Sequence, residues 1–371
     1  MNSKQRVLTA LKRTGFPDRV PLQFDLGRAL LDQFGKKHNI TVDYSPSYYE
    51  DVTYRISANA LRTAMGSDCV VVGGGLPAGY SHPQTDDGRG VHDCIVNEFG
   101  MTMRQGLLYM DVVGCPLANV ASADEVARFP FPDPYALGRM DYAKRDIERF
   151  GADYFLIGDV ELTMFEMAWH MVGLEKFMVD LVSREPYVEM LLDKCKEFSI
   201  GIGKQLVALG VDAVWAGDDF GAQNGMMISP RLWRSVFKPR FREVFAEMKA
   251  VSPGVLIGYH CDGAISPILD DLIEIGLEVF NPVQPNVPGH EPEALKSKYG
   301  DRLSFWGAID QQQLLPFGTP AEIEAEVKAK VEMLGKGGGY LCSPAHIVQS
   351  DTSAENLEAF IAAVKRYGQY V

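Results

Sequence analysis

Residues Gly258-Tyr-His-Cys-Asp-Gly263 place an imidazole, a thiol and a carboxylate on consecutive positions just after the apolar run Val255-Leu-Ile257. Side chains of these types hold zinc or exchange protons, and Gly263 lets the chain turn away behind them. The pattern returns in Gly338-Gly-Tyr-Leu-Cys342-Ser-Pro-Ala-His346, again at the end of a short apolar run. Two separated runs that both end in His and Cys suggest one convergent site. The same residues also have a plain structural reading: His260 on a buried carbonyl, Cys261 and Cys342 in the core, Asp262 as the N-cap of the next helix. Asp218 and Asp219 stand side by side and repel, which calls for a cation, a donor or a proton between them, unless they cap a loop. Met164, Phe165, Met167 and Trp169 suit packing or an adaptable apolar pocket wall. The Gly73-Gly-Gly75 loop matches neither a phosphate-binding nor a dinucleotide fingerprint.

The elements that must position these groups alternate. Short apolar runs at Val20–Phe24, Cys69–Val72, Tyr154–Ile157, Ala213–Trp215, Val255–Ile257, Val279–Asn281, Leu303–Trp306 and Tyr340–Cys342 read as strands. Amphipathic stretches such as Leu174–Val182, Pro186–Leu209, Ser229–Ala250, Ile265–Ile275 and Pro320–Leu334 read as helices between them. Eight such strands imply an α/β protein, a (β/α)8 TIM barrel, spanning residues 1–371 as a single domain. Asn97–Met103 and Gly106–Tyr109 read as a β-hairpin inserted after the second strand, within about residues 88–134. In such a barrel the loops after the strands share one face, where active sites sit. Asp25, Asp159, Glu161, Asp218, Asp219, Gln223, His260, Asp262, Asn281, Gln284, Asp310 and His346 are thereby gathered on that face.

Composition narrows the class. The formal net charge of -13 is spread along the chain, which argues against a nucleic-acid surface. Six cysteines with no CxxC pair point to reduced thiols and a cytoplasmic setting. No signal-type apolar region opens the sequence and no run approaches membrane-spanning length, so neither secretion nor a membrane is expected.

Several segments resemble the uroporphyrinogen decarboxylase superfamily: Arg6-Val-Leu-Thr-Ala-Leu with Pro17-Asp-Arg-Val-Pro21; Asn97-Glu-Phe-Gly100; Gly217-Asp-Asp-Phe-Gly-Ala-Gln223; Ile228-Ser-Pro-Arg-Leu232; His260-Cys-Asp-Gly263; Asn281-Pro-Val-Gln284; Phe305-Trp-Gly-Ala-Ile-Asp310; and Ala345-His346 through Glu355-Asn356. The resemblance implies a (β/α)8 barrel enzyme. Its decarboxylase branch carries an arginine-rich segment near the N-terminus, whereas Pro21–Arg28 here holds one Arg. Its other branch comprises zinc-dependent methyltransferases, O-demethylases among them, that serve a separate corrinoid protein. Their metal motif is His-x-Cys-Gly with a distant Cys; this chain has Asp262 at the first Cys position and His346 at the distant one.

The resemblance therefore implies a methyltransferase that moves a methyl group from a small methoxylated, possibly aromatic, or N-methylated donor to cobalt. The cobalamin would be carried by a partner corrinoid protein, since this chain has no DxHxxG signature. Zinc would sit on His260, Asp262 and His346, with Cys261 and Cys342 as alternates. Asp218, Asp219, Glu161, His260 and His346 would be catalytic, and Asp25, Met164, Trp169, Gln223, Asn281 and Gln284 would bind substrate. A cofactor-free decarboxylase and an inert ligand- or corrinoid-protein-binding barrel are the alternatives.

Overall fold

The computed structural model describes residues 1–49, 53–86, 93–106 and 109–369. Among them, seven buried strands, Cys69–Gly73, Phe155–Glu161, Ala213–Gly217, Leu256–His260, Val279–Val283, Ser304–Ile309 and Tyr340–Pro344, run parallel in chain order in one curled sheet. Parallel neighbours need crossover connections, and helices such as Pro186–Ala208 and Pro230–Val251 supply them. Each starts with proline at its first turn, where a missing N–H costs nothing. Ser229 caps the second, its hydroxyl accepting from the Leu232 N–H at 3.2 Å. That helix buries Trp233, Phe237, Phe241 and Val244, a stripe at helical spacing, against the sheet's outer face.

The expected first strand, Val20–Phe24, is an extended segment with isolated bridges instead. Pro21 has no N–H to offer a ladder, and the N–H of Leu22 is taken by the Asp68 carboxylate at 2.8 Å. What remains is a parallel bridge from Leu22 to Cys342 and another from Leu26 to Val348. The Gln23 N–H donates to the Cys342 carbonyl at 3.0 Å, and the Leu22 carbonyl accepts from the Asp68 N–H at 2.7 Å. The segment therefore fills the gap between the last strand and the first, and the architecture is of the TIM-barrel type.

Strand side chains alternate between two apolar layers, as the period of two requires. Val71, Ile157, Trp215, Leu256, Val279, Trp306 and Leu341 form the inner layer. Leu156, Val214, Ile257, Phe280, Phe305 and Cys342 belong to the larger layer under the helices. The insertion after Cys69–Gly73 is larger than one hairpin: Gln84–Thr85, Cys94–Val96, Thr102–Gln105 and Met110–Gly114 make a four-stranded antiparallel sheet. Asn97 to Met101, read from sequence as strand, is a turn, because the Asn97 side chain accepts from the N–H groups of Phe99 and Met101 at 3.0 Å each. Leu107 and Leu108, in the expected second hairpin strand, and residues 87–92, where the insertion was expected to begin, lie outside the described residues. Among the described residues no helix is long and apolar enough to cross a membrane.

Candidate functional site

Because Leu256 faces the inner layer, Gly258 and His260 do so as well, while Ile257, Tyr259 and Cys261 face the helices. His260 is 5 % exposed at the mouth end of its strand. Its Nδ1 lies 2.7 Å from Asn281 Oδ1, and the Trp215 indole N–H donates to that oxygen at 3.1 Å. An indole N–H only donates, so the Asn281 atom is an acceptor and His260 Nδ1 carries the hydrogen. Nε2 is left with its lone pair towards the cavity. Glu161 Oε1 also lies 3.1 Å from Nδ1, but that hydrogen is already taken by Asn281. Burial, and then Arg55 and His346, hold the His260 pKa well below its ordinary value, so the ring is neutral.

His346 follows the strand Tyr340–Pro344. Arg55 Nη2 is 3.1 Å from its Nε2, and the Tyr109 hydroxyl is 3.4 Å from its Nδ1. A guanidinium only donates, so Nε2 accepts and Nδ1 bears the hydrogen. Burial, with Arg55 adding to it, pushes this imidazole down to about 3. The His260 Nε2 lone pair is thus open, whereas that of His346 is taken by Arg55, which must move aside for a metal to bind there.

Asp262 lies between them. Its carboxylate is 3.7 Å from His260 Nε2 and 3.9 Å from His346 Nε2, and the three ligand atoms lie within 4.8 Å of one another. It does not cap the next helix. Gly263, at φ 75°, turns the chain sharply, and a Cβ there would meet the Gly221 carbonyl carbon at 2.4 Å. That close approach aims Asp262 into the cavity. Two neutral imidazoles and a carboxylate form a donor set that zinc accepts, with an open position left over. Tetrahedral bonds of ~2.1 Å put ligand atoms about 3.4 Å apart; the two His–Asp distances here are 3.7 and 3.9 Å and the set spreads to 4.8 Å, so a bound metal would draw the three side chains together. The residues fit the metal.

The cavity holds about 360 Å³ and is lined by Arg55, Tyr109, Glu161, Leu162, Glu166, Asp219, His260, Asp262, Gln311, Gln312, His346 and Ile347. Asp219 accepts from the Asp262 N–H at 2.6 Å, and its own N–H donates to Glu166 Oε2 at 2.9 Å. Burial first, then neighbouring carboxylates, raise the pKa of Glu166 and Asp262 well above the usual range; burial raises Asp219, with Arg55 opposing. Glu161 pairs with Arg55, whose guanidinium lies 4.9 Å from the Trp215 ring centroid. Leu162 holds a left-handed φ of 57° directly after Glu161, a strained backbone at the cavity wall.

Other candidates serve structure. Asp218 is fully buried and accepts from the N–H groups of Met164 at 3.0 Å and Glu166 at 2.9 Å, so it caps the helix Phe165–Val172; burial pushes it up to about 7. Asp25 pairs with the buried Arg62 and accepts from Gln23 Nε2 at 2.9 Å. Asn281 orients His260, and Gln284 Oε1 accepts from the Gly263 N–H at 2.6 Å, which holds the turn. Gln223 is exposed in the small hairpin formed by Gly221–Ala222 and Gly225–Met226 and does not line the cavity. Met164 is buried in the core and Trp169 packs against it, because their helix lays its apolar face on the outer layer; neither lines the cavity. The alternates fail for the same reason of side: Cys261 accepts from the Phe220 N–H at 3.2 Å, and Cys261 and Cys342 are buried in the helix-facing layer. Sequence reasoning missed Arg55, Tyr109, Glu166, Gln311 and Gln312. Only Glu166 carried a signal, as the one carboxylate inside the Met-rich stretch.

Comparison with known proteins places this geometry in context. The model of the uroporphyrinogen decarboxylase (URO-D) family matches residues 100–367. A methylcobamide:CoM methyltransferase, MtaA, of Methanosarcina barkeri is 27% identical over 220 residues, 59% of this chain and 60% of that protein. A methylcobamide:CoM methyltransferase, MtbA, of Methanosarcina mazei is 24% identical over 274 residues, 72% of this chain and 76% of its own. A uroporphyrinogen decarboxylase of Erwinia tasmaniensis is 34% identical over 71 residues, 19% of either chain. The chain thus spans about 60% of the length of the MtaA protein it matches. A solved structure of a methyltransferase from Methanosarcina mazei superposes over 99% of both chains with a TM-score of 0.68 at 22% identity, which shows a shared fold.

Proposed function

Because the chain belongs to the uroporphyrinogen decarboxylase family, we propose that it is a methyltransferase that takes a methyl group from a small methoxylated or N-methylated donor and passes it to the cobalt of a separate corrinoid protein. The observation that carries this reading is the convergence of His260, Asp262 and His346 on one cavity, with both imidazoles neutral. The methylcobamide:CoM methyltransferases among its relatives support the general kind.

The methyl group departs without its bonding pair, which stays on oxygen or nitrogen, so a neutral donor needs help at the leaving atom. Zinc held by His260, Asp262 and His346 would supply that help as a Lewis acid. Asn281 fixes the His260 tautomer that offers Nε2, and Tyr109 does the same for His346. Asp219, held by the Asp262 N–H on the same cavity wall, can orient the leaving atom. A uroporphyrinogen decarboxylase reading suits this cavity poorly: four carboxylates line it, and its one described guanidinium, on Arg55, is already paired. A polyanionic substrate would be buried without partners there.

Elemental analysis tests the reading at its base. Purified protein should carry near-stoichiometric zinc, and His260→Ala should lose most of it, since each of three ligands is a large share of the affinity. Zinc retained by His260→Ala, or absent from protein prepared without chelators, would remove the metal from this site.

A further inference from the structure

Arg55 stands where the cavity meets the barrel interior. Its guanidinium pairs with Glu161, donates from Nη2 to His346 Nε2 at 3.1 Å, and lies 4.9 Å from the Trp215 ring centroid. Those contacts leave its Nε buried with no hydrogen-bond partner among the described residues. A matching orphan lies on the same wall. Asp159 pairs in register with Trp215 between the strands Phe155–Glu161 and Ala213–Gly217, and it shares the inner face with Glu161, two residues on. Asp159 is 3 % exposed, and its Oδ2 has no hydrogen-bond partner among the described residues. Burial raises the Asp159 carboxyl and Arg55 opposes it, so the two groups feel each other. A buried donor and a buried acceptor left unmatched are each costly. Arg55 also lines the smaller cavity on the inner side, with Asp25 and Trp215, so the guanidinium has space to turn inward.

We propose that Arg55 is a two-position gate on the metal site. In one position its guanidinium closes His346 Nε2; in the other, pivoting on Glu161, it turns inward to Asp159 Oδ2 and frees His346 as a ligand. This rests on the zinc site of the reading above. His346 Nδ1 bears the hydrogen and faces Tyr109, so Nε2 is that ring's one lone pair, and a guanidinium and a metal cannot share it. The Glu161 pairing holds in both positions, so the cation never loses its buried partner. A carboxyl oxygen accepts whether or not its group is ionised, so the inward seat needs no change of protonation. Apparent metal affinity is then the intrinsic affinity scaled by the fraction of molecules in which Arg55 has left His346. Asp159 acts on the metal only through Arg55, which makes it a positioning residue.

Chelator competition on the purified protein reads zinc affinity directly. Arg55→Lys keeps a cation beside Glu161 but has no planar fork to span to His346. It should tighten zinc about tenfold, the gain expected if the closed position holds about nine molecules in ten. Arg55→Met should tighten it at least as much. Asp159→Asn should weaken zinc about threefold, because the Glu161 N–H keeps the side-chain oxygen on its own side and an amide nitrogen then stands where Oδ2 was. In the Arg55→Met background, Asp159→Asn should change nothing. Thermal melting checks that the variants are folded. A crystal structure of the zinc-loaded wild type, which needs no variant, should show Arg55 on Asp159 and off His346. Wild-type affinity in Arg55→Lys, an Asp159→Asn effect of equal size in both backgrounds, or zinc on His346 with Arg55 still in hydrogen-bond reach of Nε2 would overturn the inference. No zinc bound by the wild type would remove the metal site and this inference together. Zinc affinities that respond as stated, with no methyl transfer from any donor, would support the gate and count against the methyltransferase reading alone.

Discussion

Replacing Asp159 by Asn should stabilise the protein at alkaline pH and do little at acid pH. Asp159 is 3 % exposed on the inner face of its strand, its Oδ1 accepts from the Glu161 N–H at 3.0 Å, and its Oδ2 has no partner. Burial pushes its carboxyl up to about 7, with Arg55 opposing and Asp25 adding. In the unfolded chain the same group titrates near 3.9. The folded state therefore holds a proton that the unfolded state has released over this interval, and stability falls as pH rises through it, levelling off above about 7. Between pH 5 and pH 8 this one group costs roughly 2–3 kcal/mol, from the integrated difference in bound protons. Asn keeps the Oδ1 acceptor and never ionises. Urea unfolding of both proteins at pH 5 and pH 8 gives the measurement. The stability difference, Asp159→Asn minus wild type, should grow by about 2 kcal/mol from the lower to the higher pH. A difference that is the same at both pH values would refute the assignment of the buried charge to Asp159.

Three further outcomes follow from particular contacts. Arg62→Met should destabilise the fold by about 3–5 kcal/mol in denaturant titrations, because it strands the buried Asp25 and frees the carbonyls of Arg55 and Ser57; a loss under about 1 kcal/mol would deny that pair its structural role. Cys261→Ser and Cys342→Ser should retain full zinc content, since both thiols face the helix-side layer; loss of metal in either would bring a cysteine into the site. Tyr109→Phe should weaken zinc about tenfold in chelator competition by removing the partner of His346 Nδ1, and an unchanged affinity would leave that hydroxyl without a part in orienting the ring.

Much of this was legible in the chain because barrel strands are short, apolar and separated by helices, so their ends can be found and their loops assigned to one face. The starts of the inner strands Leu256–His260 and Tyr340–Pro344 were placed to within a residue, and their ends to within two or three. Alternation along Leu256-Ile-Gly-Tyr-His-Cys261 also decides which ligand faces the cavity: once Leu256 is inside, His260 is inside and Cys261 is not. Three things resisted reading. Pro21 and the Asp68 carboxylate removed the ladder from a segment whose composition reads as strand. Met164 and Trp169 follow a strand in sequence, yet their helix turns them to the core, and adjacency cannot report that rotation. Arg55 and Tyr109 reach the site from segments distant in sequence, the short helix Thr53–Ile56 and the stretch before Met110–Gly114, and only tertiary contact reveals them.

The most direct measurement is of cobalt. Purified protein is mixed with a corrinoid protein reduced to cobalt(I) and a panel of methylammonium and methoxylated donors, and methylcobalt formation is followed by absorbance, with uroporphyrinogen decarboxylation assayed in parallel. The account predicts methylcobalt formation with at least one donor, dependent on His260, Asp262 and His346, and no decarboxylation. Decarboxylation of uroporphyrinogen at an enzymatic rate, with no methylcobalt from any donor, would contradict it.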